Sequence, residues 1–251
     1  MEVHAHTHAV PIAIGRKKWT QYLWEFLMLF LAVFCGFLAE NLREHYVEQQ
    51  RAKQYMSAMA EDLKQDTAQI AYSVSLFDSL LVPAQDFALS ALYMDKLSDS
   101  IIEKMYELVP LSLQNFSFTF QDQTTQQLKN SGNLRLIRKK EVTDGLADYW
   151  YQCDQIKNVL LPEYQQTKRN IKEMIFSLFD FGNYTNKYPG SLVENPKLRF
   201  LSNDLLLFKR LGNYISDLRF QMVGFLRSNL QNAKEKATRL IILIQKEYHL
   251  K

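Results

Sequence analysis

The sequence predicts an all-α chain, an N-terminal transmembrane helix continuing into a long-helix antiparallel bundle. Three observations point there. Residues 22–39 are almost wholly apolar, with no charge from Phe26 to Ala39. Beyond them, apolar residues recur at intervals of three and four over long stretches, the mark of helices with one buried stripe. The chain has only 8 glycines and 6 prolines in 251 residues, so long segments contain nothing that breaks a helix.

A helix crossing a hydrocarbon core of about 30 Å needs roughly 20 mostly apolar residues, with about 17 as a lower limit. The uncharged run reaches that length when Tyr22, Leu23, Trp24 and Glu25 are counted with it. Glu25 then sits about 4.5 Å along the axis from the clean run, near the headgroups. Trp19, Tyr22 and Trp24 supply the aromatic belt of an interface. The expected span is 19–40, with Tyr22, Trp24, Phe26, Leu29, Ala32, Gly36 and Ala39 along it. A cleaved signal peptide fits less well, because bulky Phe37 precedes the only small residue at a cutting position, Ala39. Lipid attachment at Cys35 is disfavoured by Phe34 before it. A buried core helix is the third alternative. Arg16, Lys17 and Lys18 abut the N-terminal end, which places the N-terminus in the cytoplasm and the rest outside it. Ala32 and Gly36 share one face, where small residues four apart let two helices approach, so a homodimer is an expectation.

Residues 1–18 form a disordered cytoplasmic tail in this reading. His4, His6 and His8 alternate there, but the tail has only Glu2 as carboxylate and no fixed geometry to hold a metal. Residues 41–55 read as a solvated helical stalk, with Glu40, Glu44 and Glu48 aligned and few apolar positions. No Glu-x-x-His accompanies His45, so a carboxylate-bridged metal pair is not expected. The bundle domain is 56–251. Its first seam is Met56, Met59, Leu63, Ile70, Val74, Phe77 and Leu81. One helix is expected from about Thr20 to Val82, about 90 Å long if straight, with Pro83 ending or bending it.

Two shorter helices follow, Ala84–Met94 and Ser98–Leu108, the second capped by Ser98 and stopped by Pro110. Phe116, Phe118 and Phe120 alternate as in a strand, but no second alternating run exists to pair with them. A loop into a helix over 117–129 is the better reading. Gly132 fits a left-handed helix end. Arg135, Arg138, Lys139 and Lys140 form a short basic cluster followed by Glu141, which reads as a solvated helix start. A second long helix runs from Lys139 to about Phe181 through Val142, Leu146, Tyr149, Trp150, Cys153, Ile156, Leu160, Tyr164, Ile171, Ile175 and Leu178, with a kink near Asn158 caused by Pro162.

The basic flank, apolar span and Glu/Arg-rich stalk, followed by Gln127-Leu128-Lys129-Asn130-Ser131-Gly132-Asn133-Leu134-Arg135-Leu136-Ile137 and Tyr149-Trp150-Tyr151, resemble an uncharacterised family of bacterial membrane-anchored helical proteins, a domain of unknown function. The resemblance covers the chain from about Trp19. It implies a bacterial cytoplasmic-membrane location and brings no activity or site residues.

Residues 182–202 form a linker rich in turn-formers, with Tyr184 and Tyr188 able to dock it or face a partner. Ser202 is read as the cap of the last helix, Asn203 to about Tyr248. Its seam is Leu211, Ile215, Leu218, Met222, Leu226, Leu230, Ala233, Ala237, Leu240 and Ile244, and the consecutive fours near Leu226 resemble a stutter. The run 240–244 is apolar all round and too short to span.

A net charge of +3 without a basic block or binding motif argues against nucleic acid. The two cysteines, Cys35 and Cys153, make no disulfide framework. No phosphate loop, nucleophile elbow, zinc-helix motif or Cys-x-x-Cys occurs. No catalytic, cofactor or metal residues are therefore assigned. The expected function is a membrane-anchored interaction module, a sensor or scaffold, that is not an enzyme and holds an unknown protein partner. An accessory subunit of a membrane transport or envelope complex is the second expectation. A sensor requires a ligand cavity lined by aromatics such as Phe87, Tyr149 and Trp150. An accessory subunit requires a solid core with an exposed apolar patch.

Overall fold

The structure is a computed structural model that describes residues 19–113, 118–181 and 198–250. Among these residues the chain is helical and has no strand; one isolated bridge pairs Phe179 with Phe200. It divides into two units, Met1–Arg51 and Ala52–Lys251.

In the first unit, helix α1 (Trp19–Leu92) begins with a run in which every residue from Trp19 to Tyr46 is exposed. It is long and apolar enough to cross a membrane, and none of that window is buried. Phe26, Phe30 and Phe34 stack along one side at 6.3 and 5.9 Å. Where polarity returns, Arg43 is paired with Glu40 one turn back at 2.6 Å.

The second unit starts where α1 first buries a residue, Ala52. Burial then follows the helical stripe through Met56, Met59, Leu63, Ile70 and Phe77. The helix does not end at Pro83. A proline inside a helix costs roughly 3 kcal/mol. Phe87, Ala88 and Ala91 continue the same stripe into the core and offset that cost, so the separate helix expected from Ala84 is the last part of α1.

Helix α2 (Asp99–Leu113) begins as expected, with Ser98 Oγ accepting the Ile101 N–H at 3.4 Å. It then runs through Pro110, because buried Met105, Tyr106 and Val109 hold that turn against the core. Helix α3 (Gln123–Asn130) starts later than the expected 117. Residues 118–122 have no regular secondary structure, and Phe118 and Phe120 meet edge-to-face there at 4.6 Å. Their alternation marks no strand among the described residues. Gly132 takes φ +66, in the left-handed region expected for a helix end. A short 3-10 turn (Asn133–Leu136) leads on.

Helix α4 (Lys140–Gln155), a π segment (Ile156–Leu160) and α5 (Leu161–Leu178) form one uninterrupted helical run. Near Asn158, where the kink is expected, the backbone widens to π geometry just before Pro162. Proline lacks the N–H for the carbonyl four residues back and its ring crowds that carbonyl, so a wider register relieves both. Helix α6 (Leu205–Phe220), a second π segment (Gln221–Arg227) and α7 (Ser228–Tyr248) repeat the pattern. The second π segment lies at the stutter around Leu226. The cap of α6 is Asp204, which accepts the Leu206 N–H at 2.9 Å; Ser202 Oγ accepts the Asp204 N–H one step earlier, at 3.1 Å. Tyr184 and Tyr188 lie outside the described residues.

The seam residues of both later helices are buried as a set, from Val142 to Leu178 and from Phe208 to Ile244, with Trp150 and Leu160 half-buried. Helix α4 packs on α7 and α5 on α6, and the two π segments touch. Tyr106 ties the far end together. Its hydroxyl donates to Arg199 O and accepts the Asp180 N–H, each at 2.7 Å. Phe179 and Phe200 flank its ring at 5.0 and 6.0 Å.

Candidate functional site: a buried carboxylate between α1, α3 and α4

In the stripe of α1, Leu63 and Ile70 stand seven positions apart. Asp66 lies between them, only 1% exposed. A carboxylate in a core position must find hydrogen-bond donors or lose stability. Asp66 finds two. Tyr149 of α4 donates its hydroxyl to Oδ2 at 2.6 Å, and the Gln121 backbone N–H donates to Oδ1 at 2.8 Å. One turn earlier on α1, Asp62 Oδ2 accepts the Thr124 N–H at 3.3 Å. The two carboxylates thus take backbone donors at the start of α3, where a helix leaves its N–H groups without internal partners.

The surroundings are apolar. Phe120 stands edge-on to Tyr149 at 6.3 Å, and Phe118 is buried beside Phe120. Burial pushes the Asp66 carboxyl up to about 6; the Tyr149 and Gln121 hydrogen bonds pull it down, and the charges of Asp62 and Asp122 push it up further. Burial also raises the Tyr149 hydroxyl, and it raises the Cys153 thiol to about 12. Cys153 lies one turn beyond Tyr149, near enough for the two side chains to interact. A thiol held protonated in this way is a poor nucleophile.

Other polar contacts stitch the same unit. Gln152 Nε2 donates to Asn229 Oδ1 at 2.8 Å. Gln221 Nε2 reaches Thr167 Oγ1 at 3.0 Å and Asp217 Oδ2 at 2.8 Å. Lys236 meets Asp148 at 2.8 Å, and Lys139 meets Glu247 at 2.9 Å.

The cavity that Phe87 lines is small, about 20 Å³, room for a single water. Its walls include Leu80, Pro83, Tyr164, Lys168 and Met222, and burial lowers Lys168 to about 8. Tyr149 and Trp150 do not line it. The Tyr149 hydroxyl is taken up by Asp66, and Lys129 sits over the Trp150 ring at 4.6 Å. The three aromatics expected to line one cavity are therefore in separate places.

The residues expected along a membrane span, Tyr22, Trp24, Phe26, Leu29, Ala32, Gly36 and Ala39, all lie exposed on α1. A Cβ added at Gly36 would meet nothing within 4 Å. His4, His6 and His8 lie outside the described residues, and among the described residues no cluster of three or more His, Cys, Asp or Glu is placed to hold a metal. Sequence reasoning missed Asp66. Its only signal was the seven-residue interval in an otherwise regular stripe, with an acidic residue at the vacant position.

The geometry defines an all-helical chain with an apolar N-terminal helix and a buried acid at the junction of three helices. The chain matches no family model, no curated protein and no solved structure.

Proposed function

We propose that the chain is a single-pass protein of the bacterial cytoplasmic membrane, with a cytoplasmic N-terminus and a periplasmic long-helix antiparallel bundle that acts as a non-catalytic scaffold for a protein partner. The exposed apolar run of α1 carries this reading, because none of the described residues covers it. An apolar surface of that length is stable in lipid and costly in water. The antiparallel arrangement is supported by side-chain pairs whose numbers run oppositely: Lys139 with Glu247, Asp148 with Lys236, Gln152 with Asn229, and Thr167 with Asp217.

The cavity that Phe87 lines has room for about one water, so that cavity lends the sensor reading no support. A metabolite pocket usually encloses several hundred Å³. The accessory-subunit reading is also favoured by one observation. Phe220 and Phe225 pack edge-to-face at 5.4 Å yet stay 62% and 45% exposed, beside exposed Val223. The test is purification of the full chain from detergent-solubilised membranes after an alkaline wash. Retention through the wash with a partner in sub-stoichiometric, exchangeable amounts fits a scaffold. A fixed stoichiometric complex fits an accessory subunit. Release into the soluble fraction overturns both.

A further inference from the structure

We propose that Asp66 is a proton-operated clasp that sets how firmly residues 118–130 are held on α1. The device goes beyond the scaffold reading and does not depend on which partner docks.

Segment 118–130 is held on the rest of the fold at several points, two of them carboxylates of α1. Asp66 takes Gln121, Asp62 takes Thr124, and Phe118, Thr124, Thr125 and Leu128 are buried. The groups that face the clasp are mostly acidic. Asp62 is on its own helix, Asp122 precedes α3, and α4 contributes Tyr149, Cys153 and Asp154. A cation, Lys157, reaches Asp122 at 3.9 Å. With Asp66 ionised, three carboxylates converge where α3 begins, one of them in a dry site. With Asp66 protonated, Oδ1 still accepts the Gln121 N–H. The acid proton on Oδ2 is donated to the Tyr149 oxygen, and the Tyr149 hydroxyl turns to the Cys153 sulfur. Every donor then has an acceptor, and one buried negative charge is gone. The site's preference for the neutral acid, with the carboxyl raised to about 6, places the change between mildly acidic and neutral conditions. Acidification therefore tightens the hold on α3, and neutral pH loosens it.

The test is hydrogen–deuterium exchange of the full chain in detergent micelles at pH 5 and pH 8, each corrected for intrinsic chemical exchange. Protection of amides in 118–130 should rise about tenfold or more at pH 5, a tenfold step corresponding to one unit of pKa difference. Amides of α7 should not follow. In Asp66→Asn, which keeps an acceptor for Gln121 and gains a donor for Tyr149, protection of the segment should be the same at both values. Should that variant fail to fold, carbon-13 NMR of the unmodified chain labelled at its aspartate carboxyls still decides: one aspartate should titrate near pH 6, above the others. Equal protection of 118–130 at the two pH values overturns the proposal. So does an Asp66→Asn protein that keeps the difference, which would shift the cause to Asp62 or Asp122, and so does a spectrum in which every aspartate titrates in the ordinary range.

Discussion

At the scale of single residues, Asp66 inverts the usual sign of a carboxylate's contribution. Its pKa is raised in the folded state to about 6, from an ordinary 3.8. The folded protein therefore holds the proton more tightly than the unfolded chain between those values. Stability falls as pH rises across that window, and the full cost is present above it. The upper bound is about 3 kcal/mol, at roughly 1.4 kcal/mol per unit and less with solvent screening. Asp66→Asn should thus raise the urea midpoint of the full chain at pH 7.5 and leave it nearly unchanged at pH 4. A midpoint that falls equally at both values would count against the burial argument. Tyr149→Phe tests the same site from the other side. It removes the donor that favours the anion, so it should cost about 1.5–3 kcal/mol at pH 7.5 and less at pH 4. Glycines make a second residue-scale contrast. A Cβ on Gly212 would lie 2.7 Å from Leu92 Cγ and 3.0 Å from the Ala88 carbonyl, so backbone must move. Gly212→Ala should cost about 1–3 kcal/mol by overpacking. At Gly145 the only neighbour is the end of the Leu240 side chain, at 3.0 Å. There the helix-propensity gain of about 1 kcal/mol offsets the adjustment, and Gly145→Ala should be near neutral in the same urea titration.

At the scale of elements, the apolar stripes were legible because spacing alone locates them. The seam positions from Val142 to Leu178 and from Leu211 to Ile244 are buried or half-buried without exception. Boundaries at prolines were not legible. Pro83 read as an end or a bend and Pro110 as a stop, and both lie inside helices whose buried faces continue past them. Local rules give the cost of a helix-interior proline but not the burial that opposes it. The π segments were visible only as irritations in the pattern, Pro162 in one helix and the run of fours in the other. The Asp66 site was hidden for a different reason. Its donors come from residues far along the chain, and spacing within one helix carries no information about them. Pro83 allows a direct comparison of magnitudes. Pro83→Ala restores a backbone hydrogen bond and removes ring crowding, worth roughly 3 kcal/mol. It also takes apolar atoms from the wall of the small cavity, at about 1 kcal/mol. The net should be a gain of about 1–2 kcal/mol, read as a higher urea midpoint. A loss would mean that the proline sets a bend on which core packing depends.

At the scale of the whole molecule, the two units make different demands on solvent. Every buried residue of α1 lies at or after Ala52, and the apolar run before it buries nothing. The second unit therefore holds a complete core of its own, including Phe77, Phe87, Phe179 and Phe208 at 1% exposure or less. A chain beginning at Ala52 should express without detergent, show the circular dichroism of a helical protein and unfold in one cooperative step. The full chain should need detergent or lipid, because residues 19–42 leave aromatic and aliphatic side chains such as Trp24, Phe26, Leu29 and Phe37 more than half exposed. Light scattering separates the possibilities. A monodisperse short chain beside a full chain that aggregates without detergent is the expected pair. If the short chain also associates, the exposed Phe220 and Phe225 become the first place to look, and Phe225→Ser should restore the monomer. If the full chain is monodisperse in plain buffer, its apolar helix has found cover within the protein, and the membrane reading fails with it.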